Sequence, residues 1–232
     1  MTKSPAPGNA DPACTSAGVT EASATERFLN LSADKKQRIE SAAMAEFASR
    51  GYEKANTNRI AAAAGISVGA LFQYFPTKAR LFEYVTARGA ELIEVNVAPK
   101  LDAPGGVFDS IEEILHLIVS TSREHPEAVA LYHLLTSPGN DAVPRNVAFE
   151  LERFTSSAYV GLISAAQEAG DVRRDISAET IAWLIDDIFM HFQYSLTSEY
   201  FRQRRQLYLR DLPVEEVISE TSEFIRSAIA PR

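Results

Sequence analysis

Apolar residues recur at helical spacing through most of the chain, and no segment alternates with period two over the length of a strand. The first stripe is Ile39, Ala43 and Phe47, with Ala42 beside it, in a predicted helix over 32–50 that Ser32 caps and Gly51 ends. A short helix follows from Thr57, whose hydroxyl can accept a bond from an orphan backbone N–H. Ile60, Ala61 and Ala64 share one face of it, and Gly65 stops it at a position suited to left-handed backbone. Ser67 caps a second short helix, Val68 to Tyr74, with Leu71 and Phe75 on its inner face and Pro76 and Thr77 closing it. A longer helix runs from Lys78 to about Val97, before Pro99, and a break follows at 102–106, where Pro104, Gly105 and Gly106 cluster.

The remainder reads as helices throughout. The stretch 108–123 carries Ile111, Ile114, Leu115, Ile118 and Val119 on one stripe, and Pro126 opens a helix to about 136. Pro138, Gly139 and Asn140 predict a loop. Pro144 opens a long helix to 169, striped by Val147, Leu151, Phe154, Ala158, Leu162 and Ala165 and stopped by Gly170. Ser177 caps the next helix. Its segment 181–196 is apolar nearly all round, so it needs partners on more than one side. The last helix, 214–229, has a broad stripe through Val217, Ile218, Phe224 and Ile225. The fold class is all-α. Residues 1–31, rich in Pro, Ala, Ser, Thr and Gly, read as a disordered tail. Residues 32–78 read as one domain and 79–232 as a helical body.

Composition adds compartment and partner. The 232 residues are 46% hydrophobic and 23% charged, the balance of a globular protein. No apolar run is long enough to span a bilayer, and the N-terminus lacks the pattern of a secretory signal. The single cysteine, Cys14, permits no intrachain disulfide. A cytoplasmic location is expected. Net charge is −8, but unevenly placed. From 32 to 97 there are nine Lys/Arg and seven Asp/Glu, giving +2 and leaving −10 for the rest. Such a head suits contact with phosphates at one end only.

A short helix, a glycine turn and a second short helix form the helix-turn-helix pattern, whose second helix enters the major groove of DNA. Its first residues here, Ser67, Val68 and Gly69, are small and are the candidates for base-edge contact. Thr57, Asn58, Tyr74 and Lys78 are candidates for phosphate or groove-edge contact, and Phe72 for a thymine methyl. The run T-x-R-I-A-x-x-A-G-I-S-x-G-x-L-F-x-Y-F-x-x-K over 57–78 extends back through Ile39, Ala42, Ala43, Phe47 and Gly51 and forward to Leu81. It resembles the TetR family of bacterial transcriptional regulators, departing at Phe72, where that family often carries Tyr. The resemblance implies an N-terminal three-helix head joined by a strut, 78–97, to a ligand-binding and dimerisation body. It further implies a homodimer through 177–229 on palindromic operator DNA, with an unknown small-molecule effector, no cofactor and no catalysis. A repressor released by a small, largely apolar ligand is the expected form. The same head without an effector, controlled by abundance or a protein partner, is the alternative. An all-helical enzyme lacks a Gly-rich phosphate loop, a nucleophile motif and a metal signature.

Candidates for the ligand pocket are Leu117, Tyr132, Phe154, Trp183, Asp187 and Met190, an apolar set with few polar groups. Asp186 and Asp187 stand out, because adjacent carboxylates in a greasy helix are costly to bury alone. Arg123, Arg153, a histidine, a second subunit or a ligand group is the expected partner. Glu112 and His116 share a helix face but lack the further ligands of a metal signature.

Overall fold

In the computed structural model, residues 23–136 and 145–231 are described, with side chains for all of these but 145–151. The expected loop at 138–140, the side chains of Val147 and Leu151, and residues 1–22 of the expected tail lie outside the described residues. The described residues form helices only: α1 Glu26–Leu29, α2 Ala33–Lys54, α3 Thr57–Ala63, α4 Val68–Tyr74, α5 Lys78–Val97, α6 Val107–Glu124, α7 Pro126–Thr136, α8 Arg145–Ala169, α9 Ala178–Thr197, α10 Glu199–Leu209 and α11 Val214–Ile229. A 3-10 turn at Ala98–Lys100, containing Pro99, ends α5.

The α2 stripe of Ile39, Ala43 and Phe47 is fully buried against Ile60 of α3, Leu71 of α4 and Leu81 and Phe82 of α5. Each such side chain contributes about 1.5–3 kcal/mol by leaving water. Gly51, with φ of 70°, interrupts α2 where the sequence placed its end, and one further turn carries the chain to Lys54. Residues 23–31 are not a disordered tail. Phe28 of α1 is fully buried among Tyr74, Phe75 and Tyr84, with ring centroids 4.7–6.0 Å apart. Phe28, Leu29 and Leu31 alone in a small, polar stretch are too little periodicity to mark a helix, yet one aromatic ring is enough to anchor it.

The head's packing continues past residue 78. The first half of α5 completes its core, and Leu131 of α7 inserts into it as well. Ser41 of α2 donates to Glu127 of α7 at 2.8 Å, so α7 buttresses the head from the body side. The body core gathers Ile111, Ile114 and Leu115 of α6 with Ile163 of α8, Ile181 and Phe189 of α9 and Ile218 of α11. The helix α10, which the apolar pattern did not announce, has no buried residue. Its first turn is held by its own pairs, Glu199 with Arg202 and with Gln203.

Candidate DNA-reading surface and internal cavity

The turn between α3 and α4 is fixed by backbone chemistry. Gly65, at φ of 68°, donates to the Ala62 carbonyl at 3.1 Å, and Ile66 donates to Ala61 at 3.0 Å. These paired bonds close α3 in a Schellman motif, which needs left-handed backbone at the glycine. Asn56, not Thr57, caps α3, its side-chain oxygen accepting from the Asn58 N–H at 2.8 Å. Glu46 reaches across from α2 to accept from the Asn56 N–H at 2.9 Å and from Arg59 Nε at 3.0 Å. The Arg59 guanidinium beside it holds its carboxyl below the usual range. Ser67 caps α4 as expected, accepting from the Ala70 N–H at 3.1 Å.

The helix α4 therefore emerges with Ser67, Gly69, Phe72 and Gln73 exposed, and with Val68 and Ala70 half-buried at the turn. Phe72 is 43% exposed, an aromatic ring on the outward face. Thr57 is half-buried and Asn58 exposed at the start of α3. The other end of α4 is braced by α1: Thr25 Oγ1 donates to the Gln73 carbonyl at 2.9 Å, Arg27 to the Gln73 side chain at 2.9 Å, and the Thr25 N–H to the Tyr74 carbonyl at 3.1 Å. Sequence reasoning missed this brace.

Two expected groove-edge residues are placed differently. Tyr74 is only 8% exposed and packs against Phe28, with the Lys35 ammonium 5.6 Å from its ring centroid. Lys78 directs its ammonium to the carbonyls of Tyr52, Glu53 and Ala55 at 2.8, 3.2 and 3.4 Å, over the Tyr52 ring. It ties off the C-terminal end of α2 rather than facing outward. We therefore expect Lys78→Met to destabilise the head by about 1–3 kcal/mol, the cost of stranding such acceptors. It should leave unchanged the slope of DNA affinity against salt, which a lost phosphate contact would reduce by about one. Urea denaturation and a salt-series mobility shift measure the two quantities.

In the body, two adjoining cavities of about 80 and 40 Å³ lie between α5 and α6–α9 and share Leu92, Ile93, Asn96, Thr121, Tyr132 and Gln193. Of the expected pocket residues, Leu117, Tyr132 and Met190 line the larger one. Phe154 packs into the core instead. Trp183 is 63% exposed and lines an outer cleft between α8 and α9. Asp187 faces the groove between α9 and α11, and its neighbour Asp186 faces the cavity. One residue step rotates a helix by about 100°, which decides between them. Burial pushes the Asp186 carboxyl up to about 6, helped by Glu152 and Asp187. The expected cation partner for Asp186 is not found among the described residues. His133, buried and 3.1 Å from the Gln193 side chain, is pushed down to about 4 by that burial and stays neutral at pH 7. Near His116, Glu112 lies at 4.0 Å and Glu215 at 3.5 Å, and the described residues contain no group of three metal-ligating side chains.

Residues 39–85 match the family described as bacterial regulatory proteins, tetR family. Over those residues the chain is similar to the TetR family. Nucleoid occlusion factor SlmA of Haemophilus ducreyi is 27% identical over 77 residues, 33% of this chain and 38% of that protein. SlmA of Vibrio campbellii is 30% identical over 76 residues, 33% of this chain and 39% of that protein. The chain thus aligns with well under half the length of these relatives. Outside that segment, the likeness is one of fold. A TetR family transcriptional regulator from Chloroflexus aurantiacus superposes with a TM-score of 0.65 at 19% identity, covering 90% of this chain and 99% of that one. FadR of Bacillus subtilis, solved in complex with stearoyl-CoA, superposes with a TM-score of 0.64 at 13% identity, covering 83% and 98%. No helix among the described residues is long and apolar enough to cross a membrane.

Proposed function

We propose that the chain is a sequence-specific, DNA-binding transcriptional repressor that acts as a homodimer and is released by a small, largely apolar ligand. The observation that carries this reading is the placement of α5. Its first half is buried in the TetR head, and Leu92, Ile93, Asn96 and Val97 at its far end line the internal cavity. A straight helix of 20 residues spans about 30 Å, so a shift at the cavity wall is transmitted to the reading helix as a rigid lever. The two cavities together are well below the roughly 300–1,000 Å³ of usual ligand sites. Ligand entry must therefore widen the space between α5 and α9, and that widening is the proposed release step.

The dimer face proposed is that of α9 and α11. Leu184 and Phe224 are 48% and 67% exposed there, flanking an apolar groove of about 560 Å³. We expect Phe224→Glu combined with Leu184→Glu to yield a folded monomer that loses palindromic DNA binding; sedimentation and a mobility shift read the two effects. The small cavity volume also favours a second reading, in which the same head works without an effector. The deciding experiment is a mobility shift on the protein's own upstream DNA across a salt series, repeated with apolar compounds. Specific, salt-sensitive binding that a compound reverses supports the repressor reading. Specific binding that no compound alters supports the second, and a dimer with no specific DNA sequence defeats both.

A further inference from the structure

The walls of the cavity are largely apolar, from Ile114, Leu117, Ile118, Phe189 and Met190, with neutral polar side chains such as Asn96, Thr121 and Gln193 and a single carboxylate. That carboxylate, Asp186 of α9, lines both the internal cavity and an outer cleft of about 490 Å³ between α8 and α9. Glu152 of α8 lines the cleft and accepts from the Tyr132 hydroxyl, on the cavity side, at 3.2 Å. Glu179 adds a third carboxylate to the outer cleft. Tyr159 of α8 also lines both spaces. It is only 6% exposed, its ring meets Phe189 edge-on, and its hydroxyl has no hydrogen-bond partner among the described residues. Tyr159 is thus a largely buried side chain at the boundary of two cavities, near the carboxylates, with a hydroxyl free to bond a group entering either space.

The charges facing this corner are one-sided. The titratable groups around Asp186 are Tyr132 from α7, Glu152, Arg153 and Tyr159 from α8, and Glu179 and Asp187 from α9 itself. Arg153 is the only cation of the set. It is exposed and lines the outer cleft. A carboxylate held inside an apolar wall without a cation is costly. Burial pushes both Asp186 and Glu152 upward, Asp186 to about 6 with the help of Glu152 and Asp187, so at neutral pH Asp186 is ionised with no cation paired to it among the described residues.

We infer that the ligand of this cavity carries a positive charge: an apolar amine or quaternary ammonium whose tail lies along the apolar wall and whose cation sits between Asp186 and Glu152, against the rings of Tyr132 and Tyr159. This rests on the effector-cavity reading above. The cation supplies the compensation the carboxylates lack, and the tyrosine faces attract it further. An anionic amphiphile of the same shape meets like charge at the same corner.

The test compares three probes that differ only at the head, decyltrimethylammonium, decanol and decanoate, each below its micelle concentration. Binding to the full-length protein is measured by calorimetry at pH 8 and pH 5. At pH 8 decyltrimethylammonium should bind at least tenfold more tightly than decanol, with decanoate weakest. At pH 5, where Asp186 is mostly protonated, that advantage should shrink. The double variant D186N/E152Q should lose it while still binding decanol. Equal affinities, a preference for decanoate, or an advantage retained in the double variant overturns the inference; the wild-type comparison stands even if the variant does not fold. If decanol or decanoate binds and releases DNA while the cation does not, the effector cavity survives and the charge assignment falls. If none of the three binds, both fall.

Discussion

Gly69→Glu should abolish operator binding while leaving the chain folded and dimeric. Gly69 is exposed in the first turn of α4, in ordinary helical backbone, and a Cβ there would meet only Ser67 Oγ at 4.0 Å. The folded head therefore has room for the new side chain. An acidic group in the first helical turn is favourable against the helix dipole by about 0.3–1 kcal/mol, and losing a helical glycine helps by a similar amount. Stability should stay level or rise. On DNA the outcome reverses. The small residues Ser67, Val68 and Gly69 are what would let the α4 backbone approach the groove, and a carboxylate in their midst meets the negative potential of the phosphates. Like charge at an interface costs several kcal/mol, so affinity should fall by about 100-fold or more. Gly69→Ala, small and neutral, should retain most binding. A mobility shift beside a thermal melt separates the effects. If Gly69→Glu binds as wild type does, α4 is not the reading helix.

That surface was legible because its signals are local. Ser67 ahead of a short apolar stripe and Gly65 behind another fix both ends of the turn, and each does in the structure what its chemistry predicts. Where two neighbours could both serve, sequence could not choose. The sequence pattern points to Thr57 as the cap, but Asn56 has the same capability, and the extended backbone at Asn56 (φ −122°, ψ 116°) selects it. The same holds for Asp186 and Asp187, which a single helical step sends to the cavity and to the α9–α11 groove. Lys78 and Tyr74 sit differently from expectation for another reason. Their roles depend on what lies across from them, the carbonyls ending α2 and the ring of Phe28, and no spacing within the motif encodes that. The helix α10 was invisible because its apolar residues, Tyr200, Phe201, Leu207, Tyr208 and Leu209, sit at its two ends around a run with Arg202, Arg204 and Arg205 and form no stripe, although Phe201 packs on Tyr194 and Leu209 on the body core. Tyr159 and Glu152 escaped because each is an ordinary position on a long amphipathic helix until α7 and α9 close around it.

Phe28→Ala should be the most damaging single truncation outside the central motif. The ring sits at the meeting point of three elements: Tyr74 ends α4, Phe75 follows it, and Tyr84 belongs to α5. Its fractional exposure is zero, so truncation leaves a cavity that the neighbouring aromatic rings can only partly refill. Phe→Ala changes at such sites cost about 3–5 kcal/mol, a large share of the roughly 5–15 kcal/mol that holds a domain folded. Function should suffer beyond stability. The ring keeps α1 docked, and α1 supplies the Thr25 and Arg27 bonds to Gln73 and Tyr74 that set the far end of α4. Once α1 is loose, the far end of α4 keeps only the core packing of Leu71 and Phe75, and DNA affinity should fall even at temperatures where the head remains folded. Thr25→Val with Arg27→Ala, which removes the side-chain bonds and keeps the ring, should reproduce part of the affinity loss with little loss of stability. Urea unfolding and mobility shifts on the two variants separate anchoring from bracing. If Phe28→Ala unfolds at the wild-type urea midpoint, residues 23–31 are not part of the head, and the alignment of α4 rests on α2, α3 and α5 alone.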